Sequence, residues 1–237
     1  MNGVLLAAGR GTRLGALTAH LPKPLLDVGG KPIIVRVIEG LRDAGVTSLA
    51  VVVGYRAEQM EEALGDGSAW GVRLRCIRQG TVNGTATALQ LARTFLGDAP
   101  FFVGWGDIVV DGANYRRVVS AAESSGAALA MNDVDDPWTG GAVYVDEAMR
   151  VVRLVEKPPK GTSTTRWNNA GLFVLPPDIW PFVDNLQPSL RGEFELPQAI
   201  AAMVESGVPT VGVRIDGPWF DIGTPENLAA AREWFGP

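Results

Sequence analysis

The stretch that decides the fold opens the chain as Gly3-Val4-Leu5-Leu6-Ala7-Ala8-Gly9-Arg10-Gly11-Thr12-Arg13-Leu14-Gly15. Its first six residues form an apolar run without alternation, which is typical of a strand buried on both faces of a parallel sheet. Three glycines, two arginines and a threonine follow directly. Glycine permits positive φ and a close approach of backbone N–H groups to a ligand. Open α/β sheets bind ligands at the carboxyl ends of their strands, so the stretch predicts a central strand that leads into a binding loop.

The cations of this loop predict an anionic ligand. Arg10 and Arg13 lie between its glycines, and Lys23 follows ten residues after Arg13, between two prolines. Arginine and lysine bind phosphate groups through charge-assisted hydrogen bonds. We therefore expect the loop to bind a polyphosphate.

Two familiar glycine motifs do not fit the loop. The phosphate loop of nucleoside triphosphatases needs Gly-x-x-x-x-Gly-Lys-Ser/Thr, but the sixth position is Leu14 when counted from Gly9 and Ala16 when counted from Gly11. The dinucleotide fingerprint needs Gly-x-Gly-x-x-Gly, and Leu14 occupies the place of its third glycine. The acid expected at the end of the second strand is also missing. The loop therefore argues against a nicotinamide oxidoreductase.

Composition narrows the class of protein further. The chain has 237 residues, 46% of them hydrophobic, which suits one large α/β domain. Its net charge of −5 argues against nucleic acid or an anionic membrane as partner. The single cysteine, Cys76, excludes an intrachain disulfide, and the single histidine, His20, excludes a site that needs two. With no signal-like or bilayer-spanning apolar run, we expect a cytoplasmic protein.

Strands and helices alternate along the first third of the chain. Pro32 is placed to start a helix, and buried or alternating strands are predicted over residues 48–53 and 71–78, with a helix over about 56–64 between them. This rhythm is typical of a doubly wound sheet. Residues 141–146 and 151–155 then read as two strands joined by a short turn. We predict a Rossmann-like, doubly wound, mixed but mostly parallel sheet with an inserted β-hairpin.

Two later segments are candidates for recognising a nucleotide. A polar loop after the third strand contains Gln79 and Gly84, and a single helix with Leu89, Ala92, Phe95 and Leu96 on its inner face is predicted to follow it. A side-chain amide can read a pyrimidine by donating to a carbonyl and accepting from N3–H. Asp107 follows a buried strand and a Gly-Trp-Gly run, where a carboxylate suits Mg²⁺, which takes one or two carboxylates together with substrate phosphates. A solvated loop and an ordinary Gly-Asp turn are the structural alternatives.

Residues 6–14, the Pro22-Lys23-Pro24 triplet and Gly29-Gly30-Lys31-Pro32-Ile33 closely resemble the signature of the sugar-1-phosphate nucleotidyltransferases. Members of that family, including glucose-1-phosphate thymidylyl- and uridylyltransferases, join a nucleoside triphosphate to a sugar 1-phosphate and release pyrophosphate. The resemblance implies a glycosyltransferase-A-like fold. It also implies one nucleotidyltransferase domain over residues 1–237, in which residues 1 to about 110 bind the nucleotide and residues from about 111 to 237 bind the sugar phosphate beneath the hairpin as a lid.

The resemblance implies specific site residues. The nucleotide would contact Leu6, Ala8, Gly9, Gly11, Thr12, Arg13, Gln79 and Gly84. The sugar phosphate would contact Gly141, Glu156, Lys157, Asn169, Gly171 and Glu195. Mg²⁺ would be held by Asp107 and Asp221, and the catalytic residues would be Arg13, Lys23, Asp107 and Lys157. Both sugar contacts also have purely structural alternatives. Residues 156–157 could be a surface Glu-Lys ion pair, and Glu195 could be an acid in the first turn of a helix.

The implied chemistry needs placement and charge more than acid–base groups. The phosphate oxygen of the sugar is already an anion near neutral pH, so it would attack the α-phosphorus in line without a general base. Arg13 would bind the β- and γ-phosphates and Lys23 the α-phosphate, while Lys157 would offset repulsion between the two anionic substrates.

Several alternatives stay open at this level. The chain could be a nucleotide-sugar-sensing protein without turnover, or a cytidylyl- or guanylyltransferase that acts on another phosphate acceptor such as phosphocholine. The residues do not decide between UTP and dTTP, or which sugar is used. They also leave open whether the chain forms a homo-oligomer.

Overall fold

The strand predicted at the start of the chain is the centre of the sheet in the computed structural model, which describes residues 1–236. The strands are β1 (Asn2–Ala7), β2 (Asp27–Val28), β3 (Lys31–Pro32), β4 (Ser48–Val53), β5 (Arg73–Arg78), β6 (Phe101–Trp105), β7 (Ile108–Val110), β8 (Ala128–Asp133), β9 (Gly141–Val145), β10 (Val151–Glu156), β11 (Trp167–Leu175), β12 (Val211–Arg214) and β13 (Trp219–Asp221). The α-helices are α1 (Ile33–Asp43), α2 (Ala57–Leu64), α3 (Thr85–Leu91), α4 (Arg93–Leu96), α5 (Gly112–Ser125), α6 (Trp180–Asp184), α7 (Leu196–Glu205) and α8 (Pro225–Phe235). Short 3₁₀ helices cover Thr12–Thr18, Lys23–Leu25, Ser68–Trp70, Pro137–Thr139 and Pro177–Ile179.

Nine strands form the central sheet, in the order β10-β9-β11-β6-β1-β4-β5, with β8 paired to β11 and β12 paired to β8. Strand β1 is parallel to both β4 and β6, and β4 is parallel to β5. Strand β11 is antiparallel to β6, β8 and β9, and β10 is antiparallel to β9. Only β10 and β11 therefore run against the other seven strands, which confirms the predicted mixed, mostly parallel sheet.

Helices cover both faces of the sheet, so the strands are apolar on both faces. Val4 and Leu5 are completely buried in β1. Leu5 belongs to a hydrophobic cluster with residues of α1, α2 and α5, whereas Val4 belongs to a second cluster with residues of α3, α6 and α7. This is why the first strand reads as a continuous apolar run without alternation.

The structure refines several predicted boundaries. Pro32 caps α1 instead of occupying its first turn, because its extended backbone still pairs with Asp27 in the β2–β3 ribbon. The helix expected after the polar loop divides at Ala92 into α3 and α4. The predicted hairpin forms from β9 and β10, and it continues the central sheet as one of its edges. Strand β5 is the opposite edge, as its alternating sequence indicates.

A second, two-stranded ribbon brings distant residues to the end of the sheet. Strand β13 pairs antiparallel with β7, so Asp221 lies opposite Ile108, and the N–H of Ile222 donates to the carbonyl of Asp107 (3.0 Å). The two aspartates predicted as a pair are therefore neighbours across this ribbon. Over residues 1–236, no helix has the length and apolar character needed to cross a bilayer.

Candidate active site

The glycine loop folds back over Lys23. Gly11 has a φ of +63°, and a Cβ there would stand 3.1 Å from the Cβ of Lys23. The hydroxyl of Thr18 donates to the carbonyl of Gly11 (3.0 Å) and holds the returning 3₁₀ helix against the loop. Gly15 also takes a positive φ, of 55°, whereas Gly9 does not. Of these three glycines, Gly11 and Gly15 therefore use the positive φ that glycine permits.

A cavity of about 440 Å³ lies at the end of β1. Its walls are Leu6, Ala7, Gly9, Gly11, Thr12, Arg13, Lys23, Pro24, Gly106, Asp107 and Glu193. Most of the residues predicted to contact a triphosphate therefore surround one space. Ala8 is buried beside it, and its carbonyl accepts a hydrogen bond from the N–H of Tyr55. Arg10 lies instead over the ring of Tyr55, with its guanidinium 5.3 Å from the ring centre.

Lys23 lies between the two predicted metal ligands. Its Nζ is 2.5 Å from Oδ2 of Asp107 and 3.8 Å from Oδ1 of Asp221, and the lysine is itself 7% exposed. Burial, together with the charge of Asp107, raises the pKa of Asp221. The guanidinium of Arg13 packs against Gly223, two residues after Asp221. A Cβ on Gly223 would stand only 2.9 Å from it. Two carboxylates and two cations thus share one end of the sheet.

These carboxylates form a small set of metal donors. Within residues 1–236 no group of three or more His, Cys, Asp and Glu side chains is arranged to hold a metal ion. Asp107 and Asp221 would therefore leave most positions of an octahedral ion to other oxygens. Mg²⁺ commonly takes one or two carboxylates and completes its shell with water and substrate phosphates, so the pair fits such an ion beside the cavity.

The predicted base-reading residues lie in a neighbouring loop. Gln79 directly follows β5 and is 6% exposed, and its Nε2 donates to Oγ1 of Thr87 (3.2 Å) and to the carbonyl of Gly84 (3.4 Å). Gly84 has a φ of +132°, and a Cβ there would collide with the backbone of Phe194. The N–H of Phe194 donates to the carbonyl of Asn83 (2.9 Å). Neither Gln79 nor Gly84 lines the cavity, but their loop is joined to the segment that carries Glu193.

The predicted sugar-phosphate residues form a separate cluster. Glu156 ends β10, and a Cβ on Gly141 would stand 3.2 Å from its Oε2 and 3.3 Å from Cβ of Asn169. Lys157 has a φ of +45°, and its Nζ is 4.0 Å from Oε1 of Glu156. Glu195 accepts a hydrogen bond from Nη2 of Arg191 (2.6 Å). None of these side chains lines the 440 Å³ cavity.

The two glutamates of this cluster have opposite electrostatic environments. Burial raises the pKa of Glu156 to about 7, and the charge of Glu195 adds to the rise while Lys157 opposes it. Burial also disfavours the charge of Glu195, but hydrogen bonds from Ser189 and Arg191 outweigh that effect and lower its pKa. Near neutral pH, one acid is therefore close to half protonated and the other is ionised.

The start of β11 is shaped by backbone contacts. Asn169 accepts a hydrogen bond from the N–H of Gly171 (2.9 Å) through its Oδ1. Gly171 has a φ of +76°, and a Cβ there would collide with Ile108. Trp105, which precedes Asp107 by two residues, also lies against Gly171. This contact links the predicted sugar side of the site to the aspartates.

Three residues of the site were not predicted from the sequence. Glu193 lines the cavity, Thr87 binds the amide of Gln79, and Asn168 accepts from the N–H of Gly141 (3.2 Å). Asn168 and Glu193 meet segments that are distant from them in sequence. Thr87 lies three residues after Gly84, in the first turn of α3. The Arg-Gly-Glu run before Glu195 was the sequence signal for Glu193, because a glycine there allows a turn. In the structure Gly192 makes that turn with a φ of +75°.

Comparisons with known proteins match nearly the whole chain to nucleotidyltransferases. Residues 2–234 match a family model described as nucleotidyl transferase. The low-salt glycan biosynthesis nucleotidyltransferase of Haloferax volcanii is 35% identical over 236 residues, covering 98% of this chain and 65% of that protein. The glucose-1-phosphate thymidylyltransferase of Streptomyces antibioticus is 32% identical over 230 residues, covering 96% of this chain and 64% of that protein. This chain therefore spans just under two thirds of the length of these two curated relatives.

A solved structure agrees with the fold. A Bacillus anthracis protein named as a glucose-1-phosphate thymidylyltransferase, in complex with sucrose, superposes with a TM-score of 0.89 at 27% identity. The superposition covers 99% of this chain and 95% of that one.

Proposed function

This chain belongs to the nucleotidyl transferase family, and from that premise we propose that it transfers a nucleotidyl group from UTP or dTTP to a sugar 1-phosphate. The products are a nucleoside diphosphate sugar and pyrophosphate. One observation carries the proposal: Arg13, Lys23 and Asp107 line a single cavity at the end of the central strand, with Asp221 beside them. Such a cavity suits a triphosphate and the charge that develops when it is cleaved.

The reaction is a substitution at the α-phosphorus. A phosphate oxygen of the sugar 1-phosphate forms the new bond to that phosphorus, and the bond to the bridging oxygen of the β-phosphate breaks, so pyrophosphate leaves with its electron pair. No proton has to be removed from the attacking oxygen near neutral pH. We assign Arg13 to the β- and γ-phosphates and Lys23 to the α-phosphate. Both act by position and charge.

We propose that Mg²⁺ binds at Asp107 and Asp221. Their oxygens are the donors that this ion prefers, and the position of the Lys23 ammonium between them supports a role for this point as a cation site. When bound, the ion would neutralise charge on the phosphates of the two substrates. Lys23 would then be free to turn from the aspartates toward the α-phosphate.

We assign the sugar phosphate to the cluster that contains Glu156, Lys157 and Glu195. We propose that Lys157 binds its phosphate, that Glu156 and Glu195 accept from its hydroxyl groups, and that Gly141, Asn169 and Gly171 shape the space around it. In this arrangement residues 1 to about 110 bind the nucleotide and residues from about 111 to 237 bind the sugar phosphate. The β9–β10 hairpin would act as the lid. Gln79 and Gly84 are assigned to the base.

The direct test is pyrophosphate release in the presence of Mg²⁺. The assay crosses UTP, dTTP, GTP, CTP and ATP with the 1-phosphates of glucose, mannose, galactose and N-acetylglucosamine. We expect release to require one pyrimidine triphosphate together with one sugar phosphate. Asp107→Asn is the inactive variant, and Asp98→Asn is its control, because Asp98 is an exposed carboxylate before the start of β6, whereas the cavity lies beyond the carboxyl ends of the strands.

Two outcomes would contradict the proposal. Normal turnover by Asp107→Asn would remove the assigned site. Silence across the whole panel, from folded wild-type protein that still binds a nucleotide, would favour a sensing protein or a different phosphate acceptor.

A further inference from the structure

We infer that Tyr55 and Arg56 are positioning residues that hold the glycine loop, residues 9–19, closed from outside and so keep Arg13 over the proposed triphosphate cavity. Neither Tyr55 nor Arg56 lines that cavity. The inference rests on the proposed function, because it takes Arg13 to bind the β- and γ-phosphates. It adds a contact from a neighbouring strand that the glycine motif itself does not contain.

The glycine loop has few buried side chains to hold it in place. Over residues 9–19, only Leu14 and Thr18 are buried. Leu14 belongs to a small apolar cluster with Ile33, and the hydroxyl of Thr18 donates to the carbonyl of Gly11 (3.0 Å) within the loop. A segment with so few buried apolar contacts opens easily. Its position therefore depends on polar contacts from the rest of the protein.

Tyr55 contacts the chain at both ends of this loop. It follows β4, the parallel neighbour of β1. Its N–H donates to the carbonyl of Ala8 (3.1 Å), directly before the loop. Its hydroxyl carries one proton, and the carbonyls of Thr18 and Ala19 lie 3.1 and 3.2 Å from the hydroxyl oxygen. One residue thus joins the chain that enters the loop to the chain that leaves it.

Arg56 reinforces the contact at the end of the loop. Its Nη2 donates to the carbonyl of Ala19 (2.6 Å), and its Nε donates to the hydroxyl oxygen of Tyr55 (3.0 Å). A charged donor on that oxygen polarises the hydroxyl and strengthens its own donation to the loop. Arg56 makes these contacts from a φ of +53°, which is unfavourable for a residue other than glycine.

Arg13 lies in the middle of the span that these contacts close. A shift at the end of the loop would reach it through the hydrogen bond from Thr18 to Gly11. Lys23 does not depend on the loop in this way, because it is buried and its Nζ lies 2.5 Å from Asp107. Loosening the loop should therefore weaken binding of the two outer phosphates more than binding of the α-phosphate.

Inorganic pyrophosphate and UMP divide a triphosphate into the parts that the two cations would bind. We would measure the affinities of both ligands, with Mg²⁺ present, by calorimetry in the wild type and in Tyr55→Phe, which keeps the ring and removes the hydroxyl. We expect the affinity for pyrophosphate to fall roughly three- to tenfold, the effect of one hydrogen bond. The affinity for UMP should stay within about twofold, and a hydroxyl that served only stability would change neither affinity in the folded protein.

Arg56→Gly is a second test that does not depend on the tyrosine variant. It removes the guanidinium and places glycine in the left-handed conformation that glycine adopts readily. The midpoint of urea unfolding should stay close to that of the wild type, because the relieved backbone offsets the lost hydrogen bonds. The affinity for pyrophosphate should nevertheless fall as it does in Tyr55→Phe. Tyr115→Phe is the matched control, because it removes a tyrosine hydroxyl from α5, where the ring packs against Phe102.

Hydrogen exchange tests the contact without any ligand. The N–H of Leu14 donates to the carbonyl of Gly11 (3.0 Å), and the N–H of Ala19 donates to the carbonyl of Ala16 (3.3 Å). Amides of residues 12–19 should exchange at least about threefold faster in Tyr55→Phe than in the wild type, whereas amides of β1 should keep their rates.

Several results would overturn the inference. They are an unchanged pyrophosphate affinity in Tyr55→Phe or Arg56→Gly, an equal loss of pyrophosphate and UMP affinity, unchanged exchange over residues 12–19, or a wild type that binds no pyrophosphate. The expected selective loss in a protein that never releases pyrophosphate from any triphosphate and sugar phosphate would contradict the proposed function and leave this inference standing. Turnover by the wild type, with unchanged pyrophosphate affinity in Tyr55→Phe, would do the reverse.

Discussion

The proposed triphosphate cavity and the proposed sugar-phosphate cluster, which contains Glu156, Lys157 and Glu195, balance charge in different ways. In the cavity, Lys23 lies within 2.5 Å of Asp107 and is itself buried. In the cluster, the nearest cation to Glu156 is 4.0 Å away, and burial raises the pKa of that acid to about 7. The cavity therefore holds close pairs of opposite charges, which fits the phosphates and the metal ion proposed for it. The cluster contains an acid near its titration point, which suits hydrogen bonding to neutral hydroxyl groups.

The largest expected effect tests the fixed charges. Asp107→Asn or Arg13→Ala should lower kcat/KM by roughly 10²–10³. Arg13→Ala removes a cation that faces the negative charge developing on the phosphates, and Asp107→Asn removes a carboxylate that would hold the metal ion. Folding should stay intact in both variants. The measurement is pyrophosphate release, with circular dichroism and Asp98→Asn as controls. Loss of activity of the same size in Asp98→Asn would point to a general charge effect instead.

The next effect tests the contact between the loop of Gln79 and Gly84 and the segment that carries Glu193. Gly84→Ala should destabilise the protein by about 3 kcal/mol or more, because its backbone lies in a region that only glycine adopts readily and its Cβ would collide with Phe194. Urea unfolding measures this loss. Gly80→Ala is the control, since Gly80 lies in the same loop and has open space around it. Equal stability of the two variants would contradict the close contact.

The titratable acid of the sugar-phosphate cluster gives a smaller, pH-dependent effect. The pKa of Glu156 is about 7 in the fold and about 4.5 in an ordinary glutamate. Since the folded pKa is the higher one, Glu156 lowers stability progressively as pH rises from about 4.5 to 7. The unfolding free energy of wild type relative to Glu156→Gln should fall by at most about 3 kcal/mol over this window.

Urea unfolding at pH 4.5 and pH 8 measures that difference. Glu147→Gln is the matched control, because Glu147 is exposed in the turn between β9 and β10. A wild-type minus Glu156→Gln difference that stays constant with pH would show that the acid is as easily ionised as one on the surface.

The smallest effect separates two arginines of one motif. Arg10 lies over Tyr55, whereas Arg13 lines the cavity. Arg10→Ala should therefore change kcat/KM by less than about threefold, and should cost about 0.5–1 kcal/mol of stability through the lost contact with the ring. The assay is the one used for Arg13→Ala. A loss as large as that of Arg13→Ala would place Arg10 on the phosphates.

Local patterns made much of the fold predictable. The unbroken apolar run of β1 indicated a strand between two layers of helices. A threonine followed by a proline is typical of a helix start, and Thr224 indeed accepts from the N–H of Asn227 at the start of α8. The alternation over 141–155 predicted the hairpin. Each of these signals depends on neighbours within one or two turns of chain, which a sequence contains directly.

Contacts between residues that are distant in sequence could not be predicted. Nothing in the chain near residue 84 indicates that Phe194 crosses it, and nothing near Thr87 indicates that its hydroxyl meets Gln79. The division of one predicted helix at Ala92 has the same cause, because the helix stripe alone is compatible with a continuous helix. The family signature indicated Asp107 and Asp221 as a pair. It did not indicate that Lys23 would lie between them.

The β7–β13 ribbon also sets the order in which the site is completed during synthesis. Asp221 lies 114 residues after Asp107 in the sequence. A growing chain that has folded only through α7 would hold Lys23 against one carboxylate, with the other still missing. Strand β13 would supply that second carboxylate when it emerges. The glycine loop and the loop of Gln79 are therefore synthesised well before the proposed metal site can be complete.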